Sequence, residues 1–158
     1  MQEERETLFN DLVQRHKDLL WHICQDYRLS TAWTTEDALQ EVLCNIWKDL
    51  DTFKHQSAER TWVYRIAINT MLSLKRKQSN QPATNGEAKS LATYMPSDLR
   101  DLERLIAALG EPDTTIVRAS LDGFDYAEIA EITHLSVGAV GMRLSRAKTK
   151  LKNQLSHE

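Results

Sequence analysis

The sequence predicts an all-α protein made of two small helical domains joined by a flexible linker. Hydrophobic residues make up 41% of the 158 residues and charged ones 27%, with only five glycines and three prolines, a composition typical of a helix-rich globular protein. Apolar residues recur at helical spacing in several segments. Residues 79–97 carry few large apolar side chains and two of the three prolines, which indicates a linker between domains at 1–78 and 98–158.

Three helices are predicted in the N-terminal half. The first should bury a stripe of apolar residues, namely Leu8, Leu12, Leu19, Ile23 and Tyr27. The second should begin at Thr34 and Asp37, which have capping-box spacing, and bury Leu39, Val42, Leu43, Ile46, Trp47 and Leu50. The third, at about 61–77, should bury Val63, Ile66, Ala67, Met71 and Leu74 and turn Arg65, Asn69 and Arg76 away from the core.

The C-terminal half begins with two predicted helices. One carries Leu102, Leu105, Ile106 and Leu109 and should end at 110–112. The other carries Ile116, Val117 and Leu121 and should end at the turn pair Asp122-Gly123.

Residues 124–151 have the pattern of a helix-turn-helix. Asp125 and Glu128 have capping-box spacing, Ile129, Ala130 and Ile132 suit the buried side, and Ser136 can cap the second helix. The second helix should bury Val137, Val140, Leu144, Ala147, Leu151 and Leu155, with Ala139, Arg143, Arg146 and Lys150 on one outward flank. His134 lies at a turn position that favours positive φ, which His tolerates better than most residues. A plain αα-hairpin is the alternative.

The formal charge of -3 hides two positive segments. Residues 60–77 hold five basic residues and no acid, and residues 137–157 hold another five and no acid. Phosphate binding depends on such local potentials, although each run taken alone also fits a solvated helix face.

Several classes of protein are disfavoured. No apolar run approaches the roughly 18 residues that cross a bilayer, and the acidic start is unlike a secretory signal, so we expect a cytoplasmic protein without direct membrane insertion. Cys24 and Cys44 form neither a disulfide framework nor a zinc motif, and we expect no metal and no cofactor.

Two segments in each half carry a specific resemblance. EIA at 128–130 and AVGMRLSRAKTKL at 139–151 resemble region 4 of sigma-70 family factors, and DALQEVLCNIW at 37–47 and TWVYRIAIN at 61–69 are similar to region 2. The absence of anything resembling region 1.1 or a folded region 3 points to the short extracytoplasmic-function (ECF) type. The resemblance implies that the partners are core RNA polymerase, promoter DNA and an anti-sigma factor, and that the chain has no catalytic activity of its own.

The resemblance also implies roles for particular residues. Core polymerase should be bound by Asp37, Gln40, Glu41, Cys44 and Lys48. The minus-10 element should be engaged by the loop at 53–58 with Trp62, Tyr64, Arg65, Asn69, Lys75, Arg76 and Lys77. The minus-35 element should be read by Ser136, Ala139, Met142, Arg143, Arg146 and Lys150. Core packing remains the alternative for Trp62, Tyr64 and Cys44.

The second helix of the helix-turn-helix departs from the family pattern. Ala139 stands where Thr is common, Gly141 where a basic residue is common, and Met142 where Ser is common. We therefore expect an altered minus-35 preference.

Two other functions are compatible with parts of the sequence. A transcription regulator with an N-terminal helical sensor or dimerisation domain would also contain a C-terminal helix-turn-helix. An enzyme using Asp37, Glu41, His16 or His22 is disfavoured, because no nucleophile, phosphate loop or metal spacing lies near them.

Overall fold

The computed structural model describes residues 1–27, 33–55, 58–79 and 97–156, and these ranges contain helices and no strand. The helices are α1 (Gln2–Asp26), α2 (Thr35–Asp49), α3 (Glu59–Ser79), α4 (Ser97–Ala108), α5 (Asp113–Leu121), α6 (Tyr126–Thr133) and α7 (Val137–Ser156), with a short 3₁₀ turn at Leu50–Thr52. The chain divides into two compact units, Met1–Ala88 (unit 1) and Lys89–Glu158 (unit 2). The all-α prediction is confirmed. The predicted linker lies almost wholly outside the described residues, so its bounds stay a prediction.

Unit 1 packs α1, α2 and α3 against one another in pairs. The predicted core of α3 is confirmed, since Val63, Ile66, Ala67, Met71 and Leu74 are all buried. In α2 the buried line runs through Ala38, Val42 and Ile46 and continues to Leu50 in the 3₁₀ turn, while Leu39, Leu43 and Trp47 flank it half-buried.

The predicted stripe of α1 is partly wrong. Leu12, Ile23 and Tyr27 are buried, but Leu8 is half exposed, and Leu19 is only half-buried while its neighbour Leu20 is fully buried. Near the start of α1, the Phe9 ring packs edge-on against Trp47 of α2 at 5.3 Å between centroids. The Arg5 guanidinium lies 4.5 Å from the centre of the Trp47 ring and donates a 2.7 Å hydrogen bond to the Trp47 carbonyl. In this part of α1 the side chains that contact α2 are those of Arg5 and Phe9, and Leu8 lies half exposed between them in sequence.

Glu59, in the first turn of α3, ties that helix to α1. Its carboxylate accepts hydrogen bonds from Nε and Nη2 of Arg15, at 2.9 and 3.1 Å, and lies 2.8 Å from Nε2 of His16. A negative charge at a helix start is also favoured by the helix dipole. Hydrogen bonding from Arg15 lowers the pKa of Glu59, against the opposing effect of partial burial. The Glu59 cluster (Arg15, His16, Glu59) therefore sets where α3 begins relative to α1.

A second polar contact joins α2 to α3 further along. Asn45 donates through Nδ2 to Oγ1 of buried Thr70 at 2.9 Å, and that hydroxyl donates to the Ile66 carbonyl at 2.8 Å. A buried hydroxyl that both donates and accepts replaces the hydrogen bonds it would make with water, which offsets its desolvation, so this pair joins α2 to α3 at little cost to the core.

Unit 2 is built around a buried centre contributed by α4 to α7. The buried apolar residues are Ile106, Ile116, Val117, Ala119, Phe124, Ile129, Ile132, Val140, Leu144, Ala147 and Leu151. Both predicted helix ends are confirmed, with Gly110 at φ +80° after α4 and Gly123 at φ +90° after α5. One buried contact was not predicted: Arg118 is 6% exposed and its Nη2 lies 3.2 Å from the Glu103 carboxylate on α4.

Three apolar residues that continue the helical spacing of unit 2 are exposed, and for Val137 and Leu155 the predicted burial is wrong. Leu121 is 68% exposed, Val137 50% and Leu155 43%. All three lie in the first or last turn of their helix. Apolar residues can keep helical spacing up to the last turn of a helix. They are buried only if a neighbouring helix extends far enough to cover that turn.

Replacing Glu59 by Gln is expected to lower the free energy of unfolding of unit 1 by up to about 1 kcal/mol at pH 7, the upper range for ion pairs in contact with water. The folded-state pKa of Glu59 lies below its usual value of 4.5, so its stabilisation is present above that pH and declines as the pH falls through the lowered pKa. The difference in unfolding free energy between the unaltered protein and the Glu59→Gln variant should therefore disappear at acidic pH. Urea unfolding followed by tryptophan fluorescence measures it, because all four tryptophans lie in unit 1.

The matched control is Glu6→Gln, which removes an exposed carboxylate from α1. It should leave the urea midpoint nearly unchanged. Equal losses for both variants at every pH would show that the Glu59 cluster does not stabilise unit 1.

Candidate polymerase and nucleic-acid interfaces

The five residues predicted to bind polymerase form one exposed face of α2. Asp37, Gln40, Glu41, Cys44 and Lys48 are all exposed, and their spacing places them along one side of the helix. The α2 face, as we call these five residues, lies opposite the buried line of α2. Trp33 joins Asp37, Gln40, Glu41 and Cys44 in lining a shallow depression on this face. Sequence reasoning missed Trp33, although a large aromatic directly before the Thr34 cap was a signal for it.

Asp37 has a structural role as well. Its backbone N–H donates to Oγ1 of Thr34 at 3.1 Å, and its carboxylate accepts from the Thr34 N–H at 3.3 Å. This is the predicted capping box, and it is confirmed. The start of the α2 face is therefore held in place by a pair of local hydrogen bonds.

The two cysteines differ in their surroundings. Cys44 is exposed on the α2 face, whereas Cys24 is 2% exposed inside unit 1. Burial raises the pKa of the Cys24 thiol to about 12. Only Cys44 is open to thiol reagents in the folded protein.

Trp62 and Tyr64 lie in the core of unit 1, at 4% and 1% exposure. The structure thus matches the packing alternative for both rings, and neither presents a face to solvent. Trp62 packs against Phe53 at 4.9 Å between ring centroids, and Phe53 packs against His55 at 4.4 Å. His55 is exposed and has φ +57°. Of the predicted loop at 53–58, residues 56 and 57 lie outside the described ranges.

The remaining predicted residues of α3 are accessible. Asn69, Lys75, Arg76 and Lys77 are exposed and Arg65 is half-buried. Arg65, Asn69 and Arg76 follow helical spacing along one side of α3, and Lys75 and Lys77 flank its last turn. We call these five residues the α3 stripe; it carries four positive charges and no acid.

The helix-turn-helix pattern of unit 2 is confirmed by its local hydrogen bonds. Asp125 and Glu128 form a capping box with two 2.8 Å bonds. His134 ends α6 in the left-handed region, at φ 60° and ψ 29°. Oγ of Ser136 accepts from the Ala139 N–H at 3.1 Å and caps α7. Each of these residues thus has the capping hydrogen bond or the left-handed conformation that the sequence pattern predicts.

The outward surface of α7 is basic. Arg143, Arg146 and Lys150 are exposed, and Lys148 and Lys152 add to the charge on a helix without any acid. Met142 is 57% exposed and Ala139 half-buried. Nη1 of Arg143 lies 3.0 Å from the Asp113 carboxylate at the start of α5, an ion pair that sequence reasoning missed.

Comparison with known proteins identifies both units. The profile of Sigma-70 region 2 matches residues 12–81, and that of Sigma-70, region 4 matches residues 99–151. The chain belongs to the sigma-70 family. It is similar to the ECF RNA polymerase sigma-E factor of Escherichia coli K12, with 29% identity covering 98% of this chain and 90% of the relative. The sigma-E factor of Haemophilus influenzae is 27% identical, covering 98% of this chain and 91% of the relative.

Two solved structures share the fold of this sigma factor. One is CnrH in complex with the cytosolic domain of CnrY, with a TM-score of 0.73, 24% identity, and 97% and 90% of the two chains covered. The other is the sigma factor RpoE in complex with the anti-sigma factor NepR from Bartonella quintana, with a TM-score of 0.73, 24% identity, and coverage of 94% and 96%. The chain is thus an ECF-type sigma factor, a DNA-binding protein of transcription initiation. No helix in the described part of the chain is long and apolar enough to span a membrane.

Gly141 lies where the Tyr126 side chain of α6 approaches α7. A Cβ at Gly141 would lie 3.4 Å from Cε2 of Tyr126, an ordinary contact with a ring that is 47% exposed. Gly141→Ala should therefore stabilise α7 by up to about 1 kcal/mol through helix propensity alone. Hydrogen exchange of the α7 amides measures the effect.

Gly138→Ala is the matched control, since a Cβ at Gly138 meets nothing within 4 Å. Both variants should slow exchange. Faster exchange in the Gly141→Ala variant alone would mean that the Tyr126 ring cannot move to accommodate the added methyl group, and would contradict the prediction.

Proposed function

We propose that this sigma factor binds core RNA polymerase through the α2 face, captures melted minus-10 DNA through the α3 stripe, and reads minus-35 duplex through α7. The observation that carries the proposal is that the α2 face, the α3 stripe and the basic side of α7 are largely exposed and lie opposite buried residues, in units that match regions 2 and 4 in order. Residues 1–78 would form the polymerase and minus-10 domain, 98–158 the minus-35 domain, and 79–97 the linker.

The chemistry of the α2 face supports a protein partner. It combines two acids, an amide and a lysine with the exposed Cys44 thiol and the half-buried Trp33 ring. Aromatic anchors ringed by polar groups are typical of protein interfaces. By family resemblance the partner is the pair of clamp helices on the largest polymerase subunit.

The chemistry of the α3 stripe supports contact with an unpaired strand. Holding a base outside the duplex requires a stacking or apolar surface, hydrogen bonds and a basic rim. Arg65 and Asn69 supply donors and acceptors, and Lys75, Arg76 and Lys77 supply the rim. Trp62, being buried, would act through Phe53 by supporting the loop that begins at the aromatic pair Phe53 and His55.

Further parts of the proposal rest on the family. The chain would act in the cytoplasm, where RNA polymerase transcribes, and would have no catalytic activity of its own. An anti-sigma factor is proposed as a partner, because one related fold was solved in complex with such a protein. The regulator alternative is not favoured, since a region 2 match at 12–81 occupies the place of a sensor domain.

Labelling Cys44 with N-ethylmaleimide should reduce the affinity for core polymerase at least tenfold, because the adduct would stand in the centre of the α2 face. Cys24 should not react in the folded protein. Pull-down of core enzyme without DNA, with labelling followed by mass spectrometry, measures both.

Cys44→Ser is the matched control: it should bind core enzyme and be insensitive to the reagent. Equal binding by labelled and unlabelled protein would place the polymerase contact elsewhere. A regulator would bind core enzyme in neither form.

Asn69→Ala and Arg65→Ala should impair promoter melting about tenfold or more while leaving closed-complex binding nearly unchanged. Both side chains lie on the α3 stripe and belong to neither the α2 face nor α7. Reconstituted transcription on a promoter recovered from a genomic fragment library gives the assay, with permanganate reactivity of unpaired thymines reporting melting.

Gln40→Ala serves as the contrasting variant, since it truncates a polar side chain of the α2 face. It should weaken core binding, and excess protein should restore melting. Equal loss of closed and open complexes in the Asn69 variant would contradict the assignment of the α3 stripe.

A further inference from the structure

The first two turns of α7 offer DNA no hydrogen-bonding side chain. Residues 137–142 are Val, Gly, Ala, Val, Gly and Met, and the first side-chain donor within the helix is Arg143. In a helix-turn-helix, the N-terminal part of the second helix is the part that contacts base edges. Its side chains here can make only apolar contacts.

These apolar side chains are accessible. Met142 is 57% exposed and Val137 50%, and half-buried Ala139 lies three residues before Met142 on the same side of the helix. The Tyr126 ring, 47% exposed, borders the helix at Gly141. Only Val140 in these two turns is buried. Three of the five large hydrophobic residues exposed in the described part of unit 2 therefore gather at this end of α7.

The surrounding charge favours DNA as the occupant of this apolar surface. From Arg143 onwards α7 carries five basic residues and no acid, which suits the phosphates on either side of a groove. A protein helix that docked its apolar side here would have to be acidic along both flanks. Arg143, the nearest donor, is already engaged by Asp113 through Nη1 at 3.0 Å.

One base in the major groove presents an apolar group, the C5-methyl of thymine. We propose that this sigma factor recognises its minus-35 element through thymine methyl groups, with Met142 as the main contact and Ala139 beside it. The proposal rests on the proposed function, namely that α7 enters the major groove. Burial of one methyl group corresponds to about a fourfold change in the dissociation constant.

Replacing thymine by 2′-deoxyuridine tests this directly, because uracil lacks the methyl group and keeps every hydrogen-bonding group. The full chain, assembled with core polymerase, first selects minus-35 duplexes from a randomised library. Each thymine of the selected duplex is then replaced singly by deoxyuridine. At one or two positions the dissociation constant should rise about fourfold, as expected for a lost methyl contact.

Protein variants assign the contact. In Met142→Ala the thymine duplex should bind more weakly, and deoxyuridine should have less than about a 1.5-fold effect at those positions, since the partner of the methyl group is gone. Leu155→Ala is the matched control, because it truncates another exposed apolar residue of α7 near its far end. It should keep the full response to deoxyuridine.

The outcomes separate this inference from the proposed function. A specific selected duplex with no response to deoxyuridine at any thymine overturns the inference and leaves minus-35 recognition by α7 standing. A response that persists in Met142→Ala overturns the role of Met142. If the holoenzyme selects no sequence at all, both the proposed minus-35 function and the inference fail.

Discussion

The burial of α3 between α1 and α2 is the constraint on which unit 1 depends. Its residues are buried on most sides, including Tyr64 and Trp62, so the helix can expose little beyond the α3 stripe. The contacts of Glu59 with Arg15 at the start of α3, and the hydrogen bond from Asn45 to the Thr70 hydroxyl, then fix the position of α3 along its axis. Because interiors are close-packed, a shift of α3 would displace the core and the α3 stripe together. The functional surface is thus positioned by the core behind it.

Unit 2 depends more on local chemistry. The capping box at Asp125, the left-handed His134 and the Ser136 cap each satisfy backbone groups within a few residues. Such contacts need no distant partner, which explains how a unit with short helices such as α6 keeps a defined turn. Packing then adds what local contacts cannot: Arg118 reaches Glu103 on α4, and Asp113 holds Arg143 on α7.

Basic and acidic side chains lie on different surfaces of the protein. The α3 stripe and α7 carry basic residues without acids, while the exposed residues of α1 and the α2 face carry much of the acid. A net charge of -3 therefore coexists with two surfaces suited to phosphate. The acidic body would also limit non-specific adhesion to nucleic acid outside those surfaces.

The sequence by itself determined the helices, the caps of α2, α6 and α7, and the exposed sides of α2 and α7, because these follow from periodicity and from hydrogen bonds between near neighbours. It predicted Asp37, Asp125, His134 and Ser136 in the conformations observed. Only the tertiary structure decided that Leu8, Leu121, Val137 and Leu155 are uncovered, that Tyr64 is enclosed, and that Glu59 and Asp113 hold arginines. Periodicity shows which side of a helix is apolar, but where the neighbouring helix ends and which distant charge it brings depend on how the chain packs.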